Sequence, residues 1–431
     1  MRLTRLVAWK QGPFWYAAGA TVQILLFGIL AIEIKRRAPK AHTFLEIVKV
    51  RWGTTAHMVF LVFGLMANLI VSAMLLLGGC QVYNAVAGVD IYASSFVIPL
   101  LTLVYTVVGG LKATFFAGYL HTSVIMVILV VFVTTVYGIE DGCLDTDQQC
   151  NAIGSASVMY ERLKFMNALP TRTNETMGFH QGPANLNGLQ NRQGSYLTML
   201  SEDGLSFGII NIIGNFGTVF VDQSYWQSAI AAKPGSAHKG YVLGGMVWFV
   251  IPFALATALG LAGNALNMAI TPADANNGLV PPAAAIGLLG PSGGTAIIVM
   301  LTMAILSTGS AECIAVSSLM SYDIYRTYFN PEASGAQILK ISRVFVLAWA
   351  LVMAIASIVL STFDIGLGFV YNFMATVLGS AVFPVACSIY TDRLDATFVR
   401  RRNPNPDPSP TPTPNLSTTP PSHPSPDSPE P

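Results

Sequence analysis

Long apolar segments follow one another along most of the chain, separated by polar loops. A helix that spans about 30 Å of hydrocarbon needs roughly 20 predominantly apolar residues. Nine segments of about this length or longer lie at residues 13–34, 55–86, 91–109, 117–138, 204–232, 240–264, 293–322, 338–361 and 363–390. The pattern predicts an all-α, polytopic membrane protein with about nine transmembrane helices. A long polar loop at 139–203 separates the fourth helix from the fifth.

The composition supports the same class of protein. Hydrophobic residues make up 53% of the 431 residues and charged residues only 10%. A soluble domain carries roughly 25% charged residues, so the composition predicts an integral membrane protein that contacts the lipid bilayer. The formal net charge is +1, which gives no reason to expect a nucleic acid as a partner.

Basic residues occupy alternate loops. The segment KRRAPKAHTFLEIVKVR follows the first span, and later loops hold Lys112, Lys233 and Arg326. Because cytoplasmic loops carry an excess of Lys and Arg, these loops and the tail are predicted to be cytoplasmic. The loop at 139–203 then lies outside the cytoplasm. The tail at 391–431 is rich in Pro, Ser and Thr and is predicted to be disordered, since it cannot bury a core.

The head of the chain does not fit this orientation. Alternation over nine spans places residues 1–12 outside the cytoplasm, yet they include Arg2, Arg5 and Lys10. The head also lacks the apolar core and cleavage site of a secretory signal. Either the charge rule fails here or a segment before residue 13 is missing.

The loop at 139–203 carries two candidate modifications. Cys143 and Cys150 lie close together in it, and an extracytoplasmic location would permit a disulfide between them. The sequence does not decide whether they pair. Asn174 begins an Asn-Glu-Thr sequon, which is a candidate glycosylation site on that side of the membrane.

The fifth predicted span contains an unusual polar stretch, GNFGTVFVDQSYWQ at 214–227. Asn215, Thr218 and Asp222 are spaced i, i+3, i+7 and so share one face of a helix, and Gln223 follows them. A carboxylate inside a span is costly and favours a functional site. Glycines at 208, 214 and 217 are expected to weaken the helix and expose backbone groups to a solute. The alternative is a polar seam between packed helices.

A second polar group lies in the seventh predicted span. Ser307 and Thr308 are adjacent, and Ala304 lies one turn earlier. Hydroxyl and carbonyl oxygens suit a hard cation such as Na⁺, but Ser and Thr are also common at packed helix interfaces, so both interpretations stay open. Glu312, one turn further on, is a candidate proton or ligand partner because it must face protein or water.

Motifs for catalysis are not found in the sequence. It contains no phosphate-binding glycine loop that ends in Lys-Ser/Thr and no His/Cys spacing for a metal site. We therefore expect no enzyme, and no cofactor beyond a coupling ion.

Three stretches resemble the sodium:solute symporter family, in particular its active urea transporter branch of fungi and plants. They are GGLKAT (109–114), NFGTVFVDQSYWQ (215–227) and ILSTGSAECIAVSSLMSYDIY (305–325). The resemblance extends over about residues 11–395. It implies a LeuT-type fold with two inverted five-helix repeats. It also implies symport of urea, or a similar small solute, with Na⁺ or H⁺ across the plasma membrane by alternating access.

The resemblance also assigns roles to individual residues. Ala304 matches the residue whose carbonyl binds sodium in this family, and Ser307 and Thr308 match its hydroxyl ligands. Asn215 falls where relatives contact substrate, with Asp222 and Gln223 later in the same helix. The set of candidate substrate-binding residues is therefore Asn215, Thr218, Asp222 and Gln223.

Two positions depart from the family pattern. Thr218 stands where some relatives have an aromatic gate, and Ser123 stands near the position of an Asp in some sodium-coupled relatives. The second departure leaves the choice between Na⁺ and H⁺ open.

The resemblance also predicts that helices are missing. Spans one to four correspond to core helices two to five, and spans five to nine to core helices six to ten, so the first core helix is absent. The expected parts are a basic head (1–12), a first-repeat remnant with four transmembrane helices (13–138), an extracytoplasmic loop (139–203), a second repeat with five (204–390) and a cytoplasmic tail (391–431). We expect a chain truncated at both ends. The alternatives are a non-transporting truncated isoform or gene model, and a symporter for another small solute such as a polyamine or an amino acid.

Overall fold

The computed structural model describes residues 12–139, 153–168 and 202–390, except for 234, 267, 269, 271–273 and 276. This part of the chain is helical, and its only strand-like pairing is an isolated bridge between Gly138 and Ser155. The helices are α1 (Gly12–Arg37), α2 (Phe44–Ala87), α3 (Ile91–Tyr137), α4 (Ala156–Ala168), α5 (Glu202–Val221), α6 (Gln223–Ala231), α7 (Ala237–Ala265), α8 (Val280–Leu289), α9 (Pro291–Phe329), α10 (Gly335–Thr362), α11 (Leu367–Leu378) and α12 (Val382–Tyr390).

Seven of the described helices are long and apolar enough to cross a membrane. They are α1, α2, α3, α7, α9, α10 and the span Leu367–Cys387, which comprises α11 and most of α12. Three further spans of the nine predicted do not correspond to one helix each. The spans at 91–109 and 117–138 are the two arms of α3, and the span at 204–232 is divided between α5 and α6.

Helices α2 and α3 are unusually long because each consists of two helical segments that meet at a glycine. Gly53 has φ 83°, ψ −173° within α2, and Gly110 has φ 54°, ψ −149° within α3. A residue with a side chain adopts such positive φ angles only at a cost, and both glycines kink their helices. Gly110 divides α3 into two arms that are each about long enough for a crossing. The segment GGLKAT (109–114), where the third predicted span gives way to the fourth, therefore coincides with this kink.

Two short helices lie where the hydropathy pattern predicts only loops. Helix α4 falls within the predicted polar loop at 139–203, and its Leu163 is fully buried in a cluster that also contains Leu259 of α7. Helix α8 lies between the sixth and seventh predicted spans, with prolines near its start. Cys143, Cys150 and Asn174 lie outside the described residues, so their predicted modifications stay predictions.

Buried apolar clusters hold the helices together. One centres on Phe27 of α1 and Trp226 of α6, whose ring centroids lie 5.3 Å apart in an edge-to-face arrangement. Another joins α2, α3, α9 and α10 around Leu76, Ile305 and Met353. Large apolar side chains are also exposed along the long helices, as expected for surfaces that face lipid. Examples are Val104, Val108, Phe116, Leu243 and Leu351.

The glycines of α5 act through packing, which corrects the expectation that they weaken the helix. A Cβ atom on Gly214 would lie 2.4 Å from Cβ of Ala375, and one on Gly217 would lie 2.6 Å from the carbonyl oxygen of Leu378. The absence of side chains lets α5 approach α11 closely. Helix α5 runs unbroken from Glu202 to Val221 in spite of its glycines.

The break comes later, at Asp222. Its backbone is extended (φ −82°, ψ 116°), and its Oδ1 accepts a hydrogen bond from the backbone N–H of Ser224 at 2.7 Å. This is the N-cap geometry that starts a new helix. The polar stretch therefore does form a discontinuous helix, but a carboxylate cap ends one half and begins the other.

Candidate functional site

The Asp222 cap lies at a junction of three helices. Nδ2 of Asn68 on α2 donates to Oδ1 of Asp222 at 2.7 Å and to Oε2 of Glu312 on α9 at 2.6 Å. All three side chains are buried, with at most 1% of their surface exposed. The structure thus brings together two of the predicted site residues, Asp222 and Glu312, through an asparagine that the sequence analysis did not single out. The signal for Asn68 was its position as an isolated amide inside a long apolar segment.

Asn215 belongs to a separate polar niche. Its Nδ2 donates to the hydroxyl oxygen of Tyr371 on α11 at 2.8 Å, and that hydroxyl donates in turn to Oδ1 of Asn211. Nδ2 of Asn211 donates to the backbone carbonyl of Trp15 on α1 at 2.7 Å. We call Asn211, Asn215 and Tyr371, with the adjoining backbone of α1, the amide niche. The sequence analysis missed Asn211, although it lies one turn before Asn215, and Tyr371, which only tertiary packing brings there.

The remaining two candidate substrate residues bond to neighbouring groups of the protein. The Thr218 hydroxyl donates to the carbonyl of Gly214 at 2.9 Å, one turn earlier in the same helix. The Gln223 amide donates to the carbonyl of His42 and accepts from the N–H of Phe44, each at 3.2 Å. It thereby joins the start of α6 to the start of α2. Their predicted contact with substrate stays a prediction.

The predicted cation ligands lie on α9 opposite the second arm of α3. A Cβ atom placed on Gly118 would lie 3.8 Å from Oγ of Ser307. Ala304 and Ser307 are half-buried and Thr308 is exposed. The position of α3 that faces Ser307 is therefore Gly118. The hydroxyl of Ser123 is exposed and donates to the carbonyl of Tyr119 on its own helix, at 2.8 Å.

A further buried network ties α2 to the end of α9. Nε2 of His57 lies 3.1 Å from Oδ1 of Asp323, and the same oxygen accepts from the Thr43 hydroxyl at 3.0 Å. Nδ1 of His57 lies 2.8 Å from the Tyr328 hydroxyl. The other oxygen of Asp323 is buried and has no hydrogen-bond partner among the described residues. The sequence analysis did not identify this network, because its members are far apart in the chain.

The fold has a counterpart among solved structures. A solved structure described as the "substrate-bound outward-open state of a Na+-coupled sialic acid symporter" matches 91% of this chain and 78% of its own, with a TM-score of 0.54 and 14% identity. At that identity the likeness concerns the fold, which is of the LeuT type. Discontinuous helices that meet in the interior of a bundle are typical of secondary transporters.

Residues 9–397 match the sodium:solute symporter family, and the chain belongs to that family. It is 53% identical to the urea-proton symporter DUR3 of Oryza sativa subsp. japonica over 90% of the chain and 53% of the relative. It is 42% identical to the probable urea active transporter 1 of Schizosaccharomyces pombe, again over 90% of the chain, and 56% of that relative. The urea active transporter of Saccharomyces cerevisiae is 39% identical over 88% of the chain and 49% of its own length. The chain spans about half the length of these curated relatives.

Proposed function

We propose that this chain carries urea across the plasma membrane by alternating access, in symport with Na⁺ or H⁺. The proposal gives the chain no enzymatic role and no cofactor other than the coupling ion. It places the tail at 391–431 in the cytoplasm and the head at 1–12 outside it, following the alternation of basic loops. Relatives named as urea transporters support the choice of solute.

The observation that carries the proposal is the amide niche. Its side chains are two primary amides and a phenol, and all are neutral. Amides and hydroxyls both donate and accept hydrogen bonds, so they can match the carbonyl and the two NH₂ groups of urea. The niche lies among α1, α5 and α11, close to the break in the α5–α6 helix, which is the type of place where such transporters bind their solutes.

The chemistry of the niche favours urea over the other small solutes considered. A polyamine is a multiple cation and an amino acid is a zwitterion, and each would need charged partners when it leaves water. The niche offers dipoles without a net charge. A neutral, planar solute loses less solvation free energy there than a charged one.

Uptake of labelled urea tests the proposal directly. The chain is expressed in yeast that lacks its own urea transporter, surface expression is verified in parallel, and uptake is measured with and without a Na⁺ or H⁺ gradient. We expect gradient-dependent uptake that Asn215→Ala greatly reduces. Asn84→Ala, at an exposed asparagine that donates to Val89, is the matched control and should leave uptake unchanged. Surface expression without uptake contradicts the proposal, and competition by a polyamine or an amino acid would reassign the solute.

A further inference from the structure

Two buried carboxyl groups of this chain accept hydrogen bonds from one nitrogen atom. Nδ2 of Asn68 lies 2.7 Å from Asp222 and 2.6 Å from Glu312. A primary amide has two hydrogens on its nitrogen and so can donate one to each carboxyl group. This arrangement holds the acceptor oxygens of Asp222 and Glu312 close to each other, on two different helices. We call Asn68, Asp222 and Glu312 the carboxyl pair cluster.

The described surroundings do not balance two negative charges. Within the described residues, neither carboxyl group forms an ion pair with Lys, Arg or His. Helix α2 contacts the pair through the neutral amide of Asn68. The other titratable side chains near the pair are Tyr225 on α6 and Cys313 on α9, and both are neutral at physiological pH. Two adjacent carboxylates that share a buried site cannot both ionise readily, so one of them retains a proton.

Two buried oxygen atoms near the pair also lack a hydrogen-bond donor in the part of the chain that the structure describes. Oδ1 of Asn68 is buried and has no hydrogen-bond partner within the described part of the chain. The same holds for Oε1 of Gln227, whose Nε2 donates to the carbonyl of Ala311, next to Glu312. The pair receives hydrogen bonds from Nδ2 of Asn68 and from both the backbone N–H and the side chain of Ser224. The amide oxygens of Asn68 and Gln227 still lack a donor among the described residues, and a protonated carboxyl group supplies a further donor.

We infer that Asp222 and Glu312 form a proton-binding site that holds one proton between two carboxyl groups, and that this proton is the ion carried with the solute. The second half of the inference rests on the proposed function. The site has no residue in common with the predicted cation ligands Ala304, Ser307 and Thr308.

The location of the pair suggests how the proton affects the helices. Asp222 begins α6, and Glu312 lies on α9. With one proton bound, the pair carries a single negative charge, and the amide of Asn68 bridges it. Loss of the proton leaves two like charges in a buried place, which repel each other. Proton release therefore favours separation of α6 from α9, and proton binding favours their contact. Because α6 begins at the helix break, its movement relative to α9 could open the amide niche to one side of the membrane and then to the other.

Infrared spectroscopy of the purified full chain in lipid tests the proton site without any need for transport. A protonated carboxyl group has a C=O stretching band that shifts in D₂O, and its amplitude is followed as the pH is raised. We expect the wild-type protein to show a buried-carboxyl band at neutral pH. Asp222→Asn and Glu312→Gln should each shift its titration to lower pH, because each removes the competing charge. The double variant should lose the band.

A matched control and two contrary results complete this test. Glu332→Gln, at an exposed glutamate, should leave the band unchanged. The proton site is refuted if the wild-type protein lacks the band at neutral pH, or if the double variant retains it. Removal of the band by Na⁺ at constant pH would show a cation site in place of a proton site. The wild-type measurements do not depend on the folding of any variant.

Transport in proteoliposomes tests the coupling. We expect a pH gradient to drive accumulation of urea by the wild-type protein. Glu312→Gln should lose accumulation, so that urea only equilibrates, but should keep downhill exchange. If the wild-type protein does not transport urea at all, the proposed function fails while the infrared result still decides the proton site. If Glu312→Gln accumulates urea as well as wild type does, the coupling role of the pair is wrong.

Discussion

His57 and Asp323 form a buried contact between α2 and the end of α9, with 3.1 Å between Nε2 of His57 and Oδ1 of Asp323. Neither side chain is exposed to solvent. The Thr43 hydroxyl adds a hydrogen bond to the same carboxylate oxygen. His57 lies on α2, Thr43 caps the start of α2, and Asp323 lies on α9. The same two helices contribute Asn68 and Glu312 to the carboxyl pair cluster. The network of Thr43, His57 and Asp323 therefore connects α2 to the end of α9, and the carboxyl pair cluster connects the same two helices at another point.

Removal of the Asp323 carboxylate should destabilise the protein. Asp323→Ala leaves His57 and Thr43 buried without their partner, and breaking a buried hydrogen-bonded pair of this kind costs about 3 kcal/mol or more. The measurement is thermal unfolding in detergent, followed by intrinsic fluorescence. Glu332→Ala, at an exposed carboxylate, should change the stability by less than about 0.5 kcal/mol. Equal unfolding midpoints for the two variants would show that the network contributes little.

Close packing at Gly214 gives a second prediction. Gly214→Ala places a methyl group against Ala375, and overpacking of this kind costs about 1–3 kcal/mol. The paired change Gly214→Ala with Ala375→Gly returns the missing space and should recover much of the loss. Gly244→Ala, at a helical glycine with no atom near the added methyl group, should stabilise the protein by up to about 1 kcal/mol. Thermal unfolding compares the four proteins, and a paired variant no more stable than Gly214→Ala would exclude this packing argument.

The amide niche predicts an effect of Tyr371 on solute affinity. Tyr371→Phe removes the hydroxyl that accepts from Asn215 and donates to Asn211. A lost hydrogen bond in a buried site costs about 1–3 kcal/mol, which corresponds to a rise of about five- to 150-fold in the urea concentration for half-maximal uptake. Tyr92→Phe, at an exposed tyrosine, is the control. An unchanged concentration dependence in Tyr371→Phe would place the solute elsewhere.

The predicted cation ligands provide a direct comparison with the carboxyl pair. If the proton on Asp222 and Glu312 is the coupling ion, the variant Ser307→Ala with Thr308→Ala should still accumulate urea in response to a pH gradient. Uptake should also be independent of Na⁺. The measurement is initial uptake by this variant and by Glu312→Gln under separate Na⁺ and H⁺ gradients. Loss of accumulation in the hydroxyl variant, together with a requirement for Na⁺, would assign coupling to α9 at Ser307 and Thr308.

Hydropathy was a sound guide to the long helices, because a span must be continuously apolar whatever it packs against. It predicted α1, α7 and α10 to within a few residues at most ends. It placed the discontinuity of the polar stretch at the glycines, whereas the break is at Asp222. The local pattern could not distinguish a glycine that weakens a helix from one that allows close packing of another helix. The helix that packs here, α11, lies about 150 residues further along the sequence.

The site was predicted only in part for a similar reason. Asp222 and Glu312 were recognisable as ionisable residues in apolar surroundings. Asn68 and Tyr371 carry no local signal that names their partners, and they are brought to the site by packing of α2 and α11. The sequence therefore identified Asp222, Glu312 and Asn215, but only the tertiary structure identifies their partners Asn68 and Tyr371.

The N-cap at Asp222 makes the two members of the carboxyl pair unequal. Asp222 accepts the N–H of Ser224 at the start of α6, where the helix dipole favours a negative charge. Glu312 lies within α9, away from its N-terminus, and the side chain of Ser224 contacts it, without a backbone N–H from the start of α6 among the described contacts. We therefore expect the charge to be held mainly at Asp222 and the proton mainly at Glu312. Glu312→Gln should then behave as a protein whose proton is permanently bound, whereas Asp222→Asn also weakens the start of α6 itself. Although each variant replaces a carboxyl group by an amide, we expect Glu312→Gln to keep downhill exchange of urea and Asp222→Asn to destabilise the helix break as well.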